Sequence, residues 1–292
     1  MSKYLNPYTD FGFKRLFGEE ANKDLLIDFL NALLPEHHQI NMLEFRNVEQ
    51  LGLIAEERKA IYDIYCEAEN GEHFIVEMQK AKQRWFKDRA LFSVTFPMRA
   101  QAMPGKGWDF RLPMVYFIAV LDFLYDEKEE IQKFQRDVSL KDQDGEEFYK
   151  KLKFSFLQMP LFTKTESELV TRKDKWCYFL KNLTDFDQIP AILREPIFEQ
   201  AFATAEFSRM SRDELRVYEA NERIYWDNYA VMKTAIEDGE ARGETRGRAK
   251  GRAEGKAEGR VEIARNMKNE GFEVAVIVKM TGLSPKEIEQ LE

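Results

Sequence analysis

Apolar residues Phe13, Leu16 and Phe17 follow Thr9-Asp10 at helical spacing, which predicts a first helix capped by Thr9 or Asp10. A second helix carries its apolar face through Leu25, Ile27, Phe29, Leu30 and Leu33, and Pro35 stops it. The period then shortens. A β-rich pair is predicted over about 60–79, a helix over about 85–103, a buried strand over about 113–123 and another strand over about 153–161. Strands alternating with helices indicate an α/β architecture. From about 167 to 238 the period is helical again, with Trp176, Phe179, Leu180 and Leu183 as one stripe and Ile192, Ile197, Phe198 and Phe202 as material for another.

Beyond this point the pattern changes character. Gly239, Gly243, Gly247, Gly251, Gly255 and Gly259 recur every four residues between charged residues and alanines. Four residues advance a helix by about 40° beyond a full turn, so these glycines wind around it instead of lining one face. Two readings stand: a marginal helical linker with solvated pairs such as Glu244 with Arg248, or close helix pairing through small residues. Gly255-Lys256-Ala257 is no phosphate loop, because the spacing from Gly251 is wrong and no Ser or Thr follows the lysine. Residues 261–292 regain helical patterning, punctuated by Gly271 and Gly282, and Ser284-Pro285-Lys286-Glu287 is a helix start. This segment fits either a helix-turn-helix or a dimer-forming cap, which makes homo-oligomerisation through the C-terminal helices an open expectation.

Composition narrows the classes. With 44% hydrophobic residues, 23 Phe and 11 Tyr, the 292-residue chain can build a packed core. A net charge of −8 argues against indiscriminate attraction to nucleic acid, so any DNA contact is local. Cys66 and Cys177 lack metal-ligand spacing, and a reducing cytoplasmic setting is the simplest expectation. No secretory leader or membrane span is expected, since the best apolar run, 113–124, is short and interrupted by Asp122.

The chemically informative segment is 60–79, two β-rich runs around Asn70-Gly71. A two-residue loop would set Asp63 against Met78 and match an apolar side to a polar one. A three-residue loop, Glu69-Asn70-Gly71 with Gly71 left-handed, pairs Ala68 with Glu72 and hence Asp63 with Glu77. One face then holds Tyr62, Ile64, Cys66, Phe74, Val76 and Met78, and the other Asp63, Glu67, His73, Glu77 and Gln79. Directly opposed like charges are destabilising, and a cation would relieve them. Asp63 and Glu77 thus form either a cradle for magnesium or the wet face of a hairpin. His73 is expected at the exposed hairpin end.

Asp63 followed by Glu77-Met78-Gln79 resembles the PD-(D/E)XK hairpin. Together with Thr9-Asp10, Phe13-Lys14-Arg15-Leu16-Phe17 and Arg89-Ala90-Leu91-Phe92-Ser93, the chain is similar to the recombination-promoting nuclease and transposase family over about its first 210 residues. The resemblance implies a restriction-endonuclease-like central mixed β-sheet flanked by helices, with a helical C-terminal extension. It also implies a magnesium-dependent endodeoxyribonuclease, with manganese as an alternative metal and DNA as partner. Asp63 and Glu77 would ligate the metal with the Met78 carbonyl, and Asp10 would either add a third acid or cap its helix. Gln79 stands where many relatives place lysine, which removes a cation from the catalytic set. Lys80 points to the other strand face, Lys82 lies beyond the strand, and Lys14 and Arg89 are phosphate-contact candidates or ordinary surface charges. The expected organisation is a nuclease-like domain at 1–210, a helical and glycine-rich linker at 211–260 and a small helical segment at 261–292. The alternative function is a noncatalytic DNA-binding or assembly factor that keeps the nuclease fold.

Overall fold

A strand that is apolar at every position has to be buried on both faces, and β6 (Val115–Leu121) is the axis on which the fold is built. The computed structural model describes residues 2–50, 60–101, 111–125 and 133–291. In it β6 pairs in parallel with β5 (His73–Gln79) on one side and β8 (Glu147–Gln158) on the other. Beyond β5 lie β4 (Ile64–Ala68) and β1 (Leu43–Phe45), and beyond β8 lies β7 (Gln135–Lys141), all antiparallel to their neighbours. The six strands run in the order β1-β4-β5-β6-β8-β7. This is the mixed α/β sheet that the alternating pattern indicates.

Helices cover both faces. On one side α1 (Asp10–Phe17), α2 (Lys23–Leu33), α4 (Arg172–Asn182) and α5 (Pro196–Ala205) close over Ile64, Cys66, Phe74 and Val76, with Phe17, Phe29, Trp176 and Phe198 packed ring against ring between them. Both helical stripes expected around Trp176 and Phe198 therefore complete this core. On the other side α3 (Phe86–Ala100) lays Phe86, Ala90 and Val94 over Ile75, Phe117 and Phe156. The end expected for this helix at 103 lies outside the described residues.

Three expectations change. Residues 60–79 are not one simple hairpin: β3 (Ala60–Ile61) pairs with β2 (Glu49–Gln50), and the chain bends before β4 begins. The bend resets the alternation, so Tyr62 joins Tyr65 and Ile75 in the core under α3 instead of Ile64 and Cys66. The strand expected at 153–161 starts earlier, at Glu147, and gives way to a short 3₁₀ turn at Met159–Leu161, where Pro160 can no longer donate to a ladder. Third, β7, Gln135-Arg136-Asp137-Val138-Ser139-Leu140-Lys141, escapes sequence reading because it is an edge strand dominated by polar and charged residues.

The chain divides into two compact units, Met1–Arg223 and Ile224–Glu292. The continuous helix α6 (Arg212–Asn269) contributes to both. Five of its six repeat glycines are exposed and Gly259 is partly buried, and a Cβ added at any of the six would meet nothing within 4 Å. The expected Glu244–Arg248 pair is present at 2.5 Å. In the second unit, Ala264, Ile277 and Ile288 form a small core where the end of α6 meets α7 (Val274–Thr281) and α8 (Pro285–Glu289). Left-handed Gly282 ends α7, and the Ser284/Glu287 capping box opens α8 as its sequence predicts.

Candidate metal centre

The register of the β4–β5 hairpin is set at its tip. Gly71 adopts φ +79°, its N–H donates to the Ala68 carbonyl at 2.9 Å, and the Ala68 N–H donates to the Glu72 carbonyl at 2.8 Å. This is the three-residue loop that hydrophobic matching selects, and the pairing runs on through Cys66 with Phe74 to Ile64 with Val76. Continued one step, it brings Asp63 opposite Glu77.

At that step the ladder breaks, and the break shapes the site. Tyr62 turns its N–H to the Val48 carbonyl at 3.0 Å, away from β5. The Met78 N–H, which an unbroken ladder would present to Tyr62, donates instead to Asp63 Oδ2 at 2.7 Å. Because one residue's N–H and C=O leave a strand on the same edge, the Met78 carbonyl faces the same gap. Glu77 is held by the Asp63 backbone N–H and by the Gln79 amide, whose Nε2 donates to Glu77 Oε2 at 2.9 Å.

The polar face is not wet. Glu77 is only 5% exposed and Asp63 is half-buried, because Tyr65 and Ile75 share their strand face and draw α3 onto it. Burial pushes the Asp63 carboxyl up to about 6, against the opposing Met78 N–H, and burial together with the nearby Asp63 charge pushes Glu77 up to about 8. The two protons belong to the pair more than to either residue. Both carboxylates are therefore disfavoured as anions by their surroundings, and a cation would remove that penalty. Two carboxylates plus a backbone carbonyl at an open strand end fit a hard divalent cation that retains several waters.

The other sequence candidates fall around this pair. Thr9 caps α1, its side chain accepting from the Gly12 N–H, so capping does not account for Asp10. Asp10 is close enough for its charge to raise Asp63, and it pairs with Lys14 at 2.7 Å. Among the described residues no three His, Cys, Asp or Glu side chains converge as a metal-binding group, so Asp10 stands beside the pair instead of completing a triad. Lys14 acts electrostatically on Asp63, and Arg89, from the first turns of α3, acts on both acids while bonding to Gln83. Lys82 is exposed beyond the end of β5.

Sequence reading missed one feature at the same end of the sheet. The Asp122 N–H donates to the Gln79 carbonyl at 2.9 Å, and its carboxylate lies near Lys80, whose amine burial pushes down to about 8. Asp122 could have been found as the one charge interrupting the β6 run. His73 corrects an expectation: it is largely buried, because its ring stacks on Tyr65 on the same strand face, with its Nδ1 3.0 Å from the Tyr65 hydroxyl. Burial lowers its pKa. Cys66 and Cys177 are free and buried, each pushed up to about 12 by burial, and no helix of the described residues is long and apolar enough to cross a membrane.

Comparison with protein families adds two matches. Residues 7–235 match the family described as PD-(D/E)XK nuclease family transposase. Residues 257–292 match the Rpn/YhgA-like nuclease family C-terminal HTH domain, in line with the helix-turn-helix reading of the last helices. No curated protein and no solved structure matches the chain.

Proposed function

The chain belongs to the PD-(D/E)XK nuclease family transposases, and from that premise we propose that it is a magnesium-dependent endodeoxyribonuclease whose centre is Asp63 and Glu77. The observation that carries this reading is the broken ladder. It turns two opposed carboxylates and the Met78 carbonyl into one gap at the end of β5, beside the cationic side chains of Lys14 and Arg89.

A divalent cation bound there, magnesium or manganese, would neutralise phosphate charge and activate water for attack on phosphorus. The chain supplies the rest. The Met78 N–H pins Asp63 Oδ2 and so orients the other oxygen, while Gln79 and the Asp63 N–H fix the rotamer of Glu77. Asp10 adds negative potential from α1, and its partner Lys14 and Arg89 offer donors to non-bridging phosphate oxygens. Gln79 orients Glu77 and contributes no charge, so transition-state stabilisation would fall on a bound cation and Arg89. The C-terminal helix-turn-helix brings the catalytic unit to duplex DNA, a role compatible with promoting recombination.

Magnesium-dependent nicking of supercoiled DNA tests this reading. Wild type should nick, and Asp63→Ala and Glu77→Ala should not. Full cleavage by both well-folded variants rules the site out. One observation favours a second reading: the residue at the lysine position spends its donor on Glu77. Metal binding without cleavage by any form would make the chain a noncatalytic DNA-binding or assembly factor.

A further inference from the structure

The start of α3 carries a surface of which the hydrolytic centre uses only Arg89. Residues 80–89, Lys80-Ala81-Lys82-Gln83-Arg84-Trp85-Phe86-Lys87-Asp88-Arg89, hold five cationic side chains and one acidic one in a chain whose net charge is −8. In the midst of them Trp85 is 63% exposed. An indole left this open needs a reason, since the neighbouring Phe86 is buried under the same helix.

Helix geometry supplies the direction. At 100° per residue, Trp85, Arg89 and Phe92 fall within about 60° of one another, while the buried residues Phe86, Ala90 and Val94 lie on a separate flank. The Arg89 N–H donates to the Trp85 carbonyl at 3.0 Å, so Trp85 is already part of the first helical turn. Phe92, 44% exposed, continues the stripe about 10 Å further along the axis. Arg89 lies between the two aromatics, and its charge reaches both Asp63 and Glu77. The Arg84 guanidinium stands 5.1 Å from the centre of the indole ring, placing a cation beside the aromatic face.

We infer that this stripe binds an unpaired nucleic-acid strand, with a base stacked on Trp85 and the adjoining phosphate drawn by Arg84 and Arg89 towards the carboxylate pair. Bases inside a duplex have their π-faces covered by their neighbours, so an exposed indole beside a guanidinium group is complementary to a strand whose bases are free. The local positive charge tracks a phosphodiester backbone that the rest of the acidic surface repels. The inference rests on the nuclease reading for its location and names the substrate form: single-stranded or locally opened DNA at the point of cutting, with duplex affinity left to the helix-turn-helix.

Binding without divalent cation separates the two claims. Full-length wild type, Trp85→Ala and Trp85→Phe are titrated against a fluorescein-labelled strand of about 20 nucleotides and the matching duplex, and against the same strand carrying 2-aminopurine. Trp85→Ala should lose about 5- to 100-fold in affinity for the strand and change less than about twofold on the duplex, while Trp85→Phe stays near wild type. The strand's 2-aminopurine quenching should vanish with Ala and survive with Phe. Unchanged strand affinity, or an equal loss on strand and duplex, overturns the inference even if magnesium-dependent nicking is intact. Conversely, Trp85-dependent strand binding by a protein that never cleaves would uphold the inference and reject the hydrolytic reading.

Discussion

Tyr65 and Ile75 alternate with Asp63 and Glu77 on one strand face and bring α3 down over it, which buries Glu77; hydrophobic matching across the Asn70-Gly71 turn carries the pairing of the two acids but not this burial. Because Glu77 is buried, alanine there would leave the Gln79 amide and the Asp63 N–H without their acceptor. Glu77→Gln and Asp63→Asn are therefore the cleaner variants for ligand binding. Magnesium should raise the melting temperature of wild type and leave both variants nearly unmoved, a difference read directly by thermal denaturation with and without EDTA. The same pair sets a pH dependence. Both folded pKa values are raised, so the metal-free fold gains most from these groups in acid, below the unfolded values near 4, and loses that stability as pH rises through about 6 and then about 8. Metal-free wild type should thus lose stability between about pH 4 and 8, at up to about 1.4 kcal/mol per unit for each titrating group and most steeply between about pH 4 and 6, where both contribute. Glu77→Gln should flatten that slope, and magnesium should bind more tightly at about pH 8 than at about pH 6. A slope unchanged in Glu77→Gln would show that other groups set it.

Elements were legible in proportion to how much apolar surface they bury. The all-apolar β6 and the Trp176 stripe of α4 were visible at once, whereas β7, a polar edge strand, had no period to read. The break between β3 and β4 was equally silent, since Ile61, Tyr62 and Ile64 read as one continuous strand. Glycine carries opposite meanings in two elements. At φ +79° Gly71 holds the hairpin register, so Gly71→Ala should destabilise the protein by about 1 kcal/mol or more and weaken magnesium binding with it. In α6, where a Cβ at Gly247 or Gly251 meets nothing within 4 Å, the same change should strengthen the helix by about 1 kcal/mol per site. Circular dichroism melts of Gly71→Ala and of the Gly247→Ala/Gly251→Ala double variant should move in opposite directions. A destabilised double variant would mean that these glycines are packed against something, as close helix pairing requires.

For the whole molecule, the question is where the catalytic unit ends. Sequence patterning suggested about residue 210, because alternating strands and buried helices stop there. Residues just beyond it are tied back to the first helix. Glu214 accepts from Arg15 and from the Ser211 N–H, and the buried Tyr218 accepts from the Asn6 N–H at 3.0 Å while packing edge-on against Phe11 and Phe207. Removing a buried aromatic of this kind costs about 3–5 kcal/mol. We therefore place the boundary of the independently folding nuclease unit after Tyr218. A chain ending at Arg223 should unfold cooperatively near the stability of the full protein, and one ending at Ser211 should melt well below it, as urea denaturation of the two would register. The Arg223-terminated chain also isolates the role of residues 224–292. It retains Asp63, Glu77, Arg89 and Trp85 but lacks the helix-turn-helix, so it should keep magnesium-dependent cleavage and lose affinity for duplex DNA, with a shallower salt dependence. Light scattering on the same protein separates DNA affinity from self-association. A fall in mass relative to the full chain would assign dimer formation to the C-terminal unit, and unchanged mass with unchanged duplex binding would leave that unit with neither role.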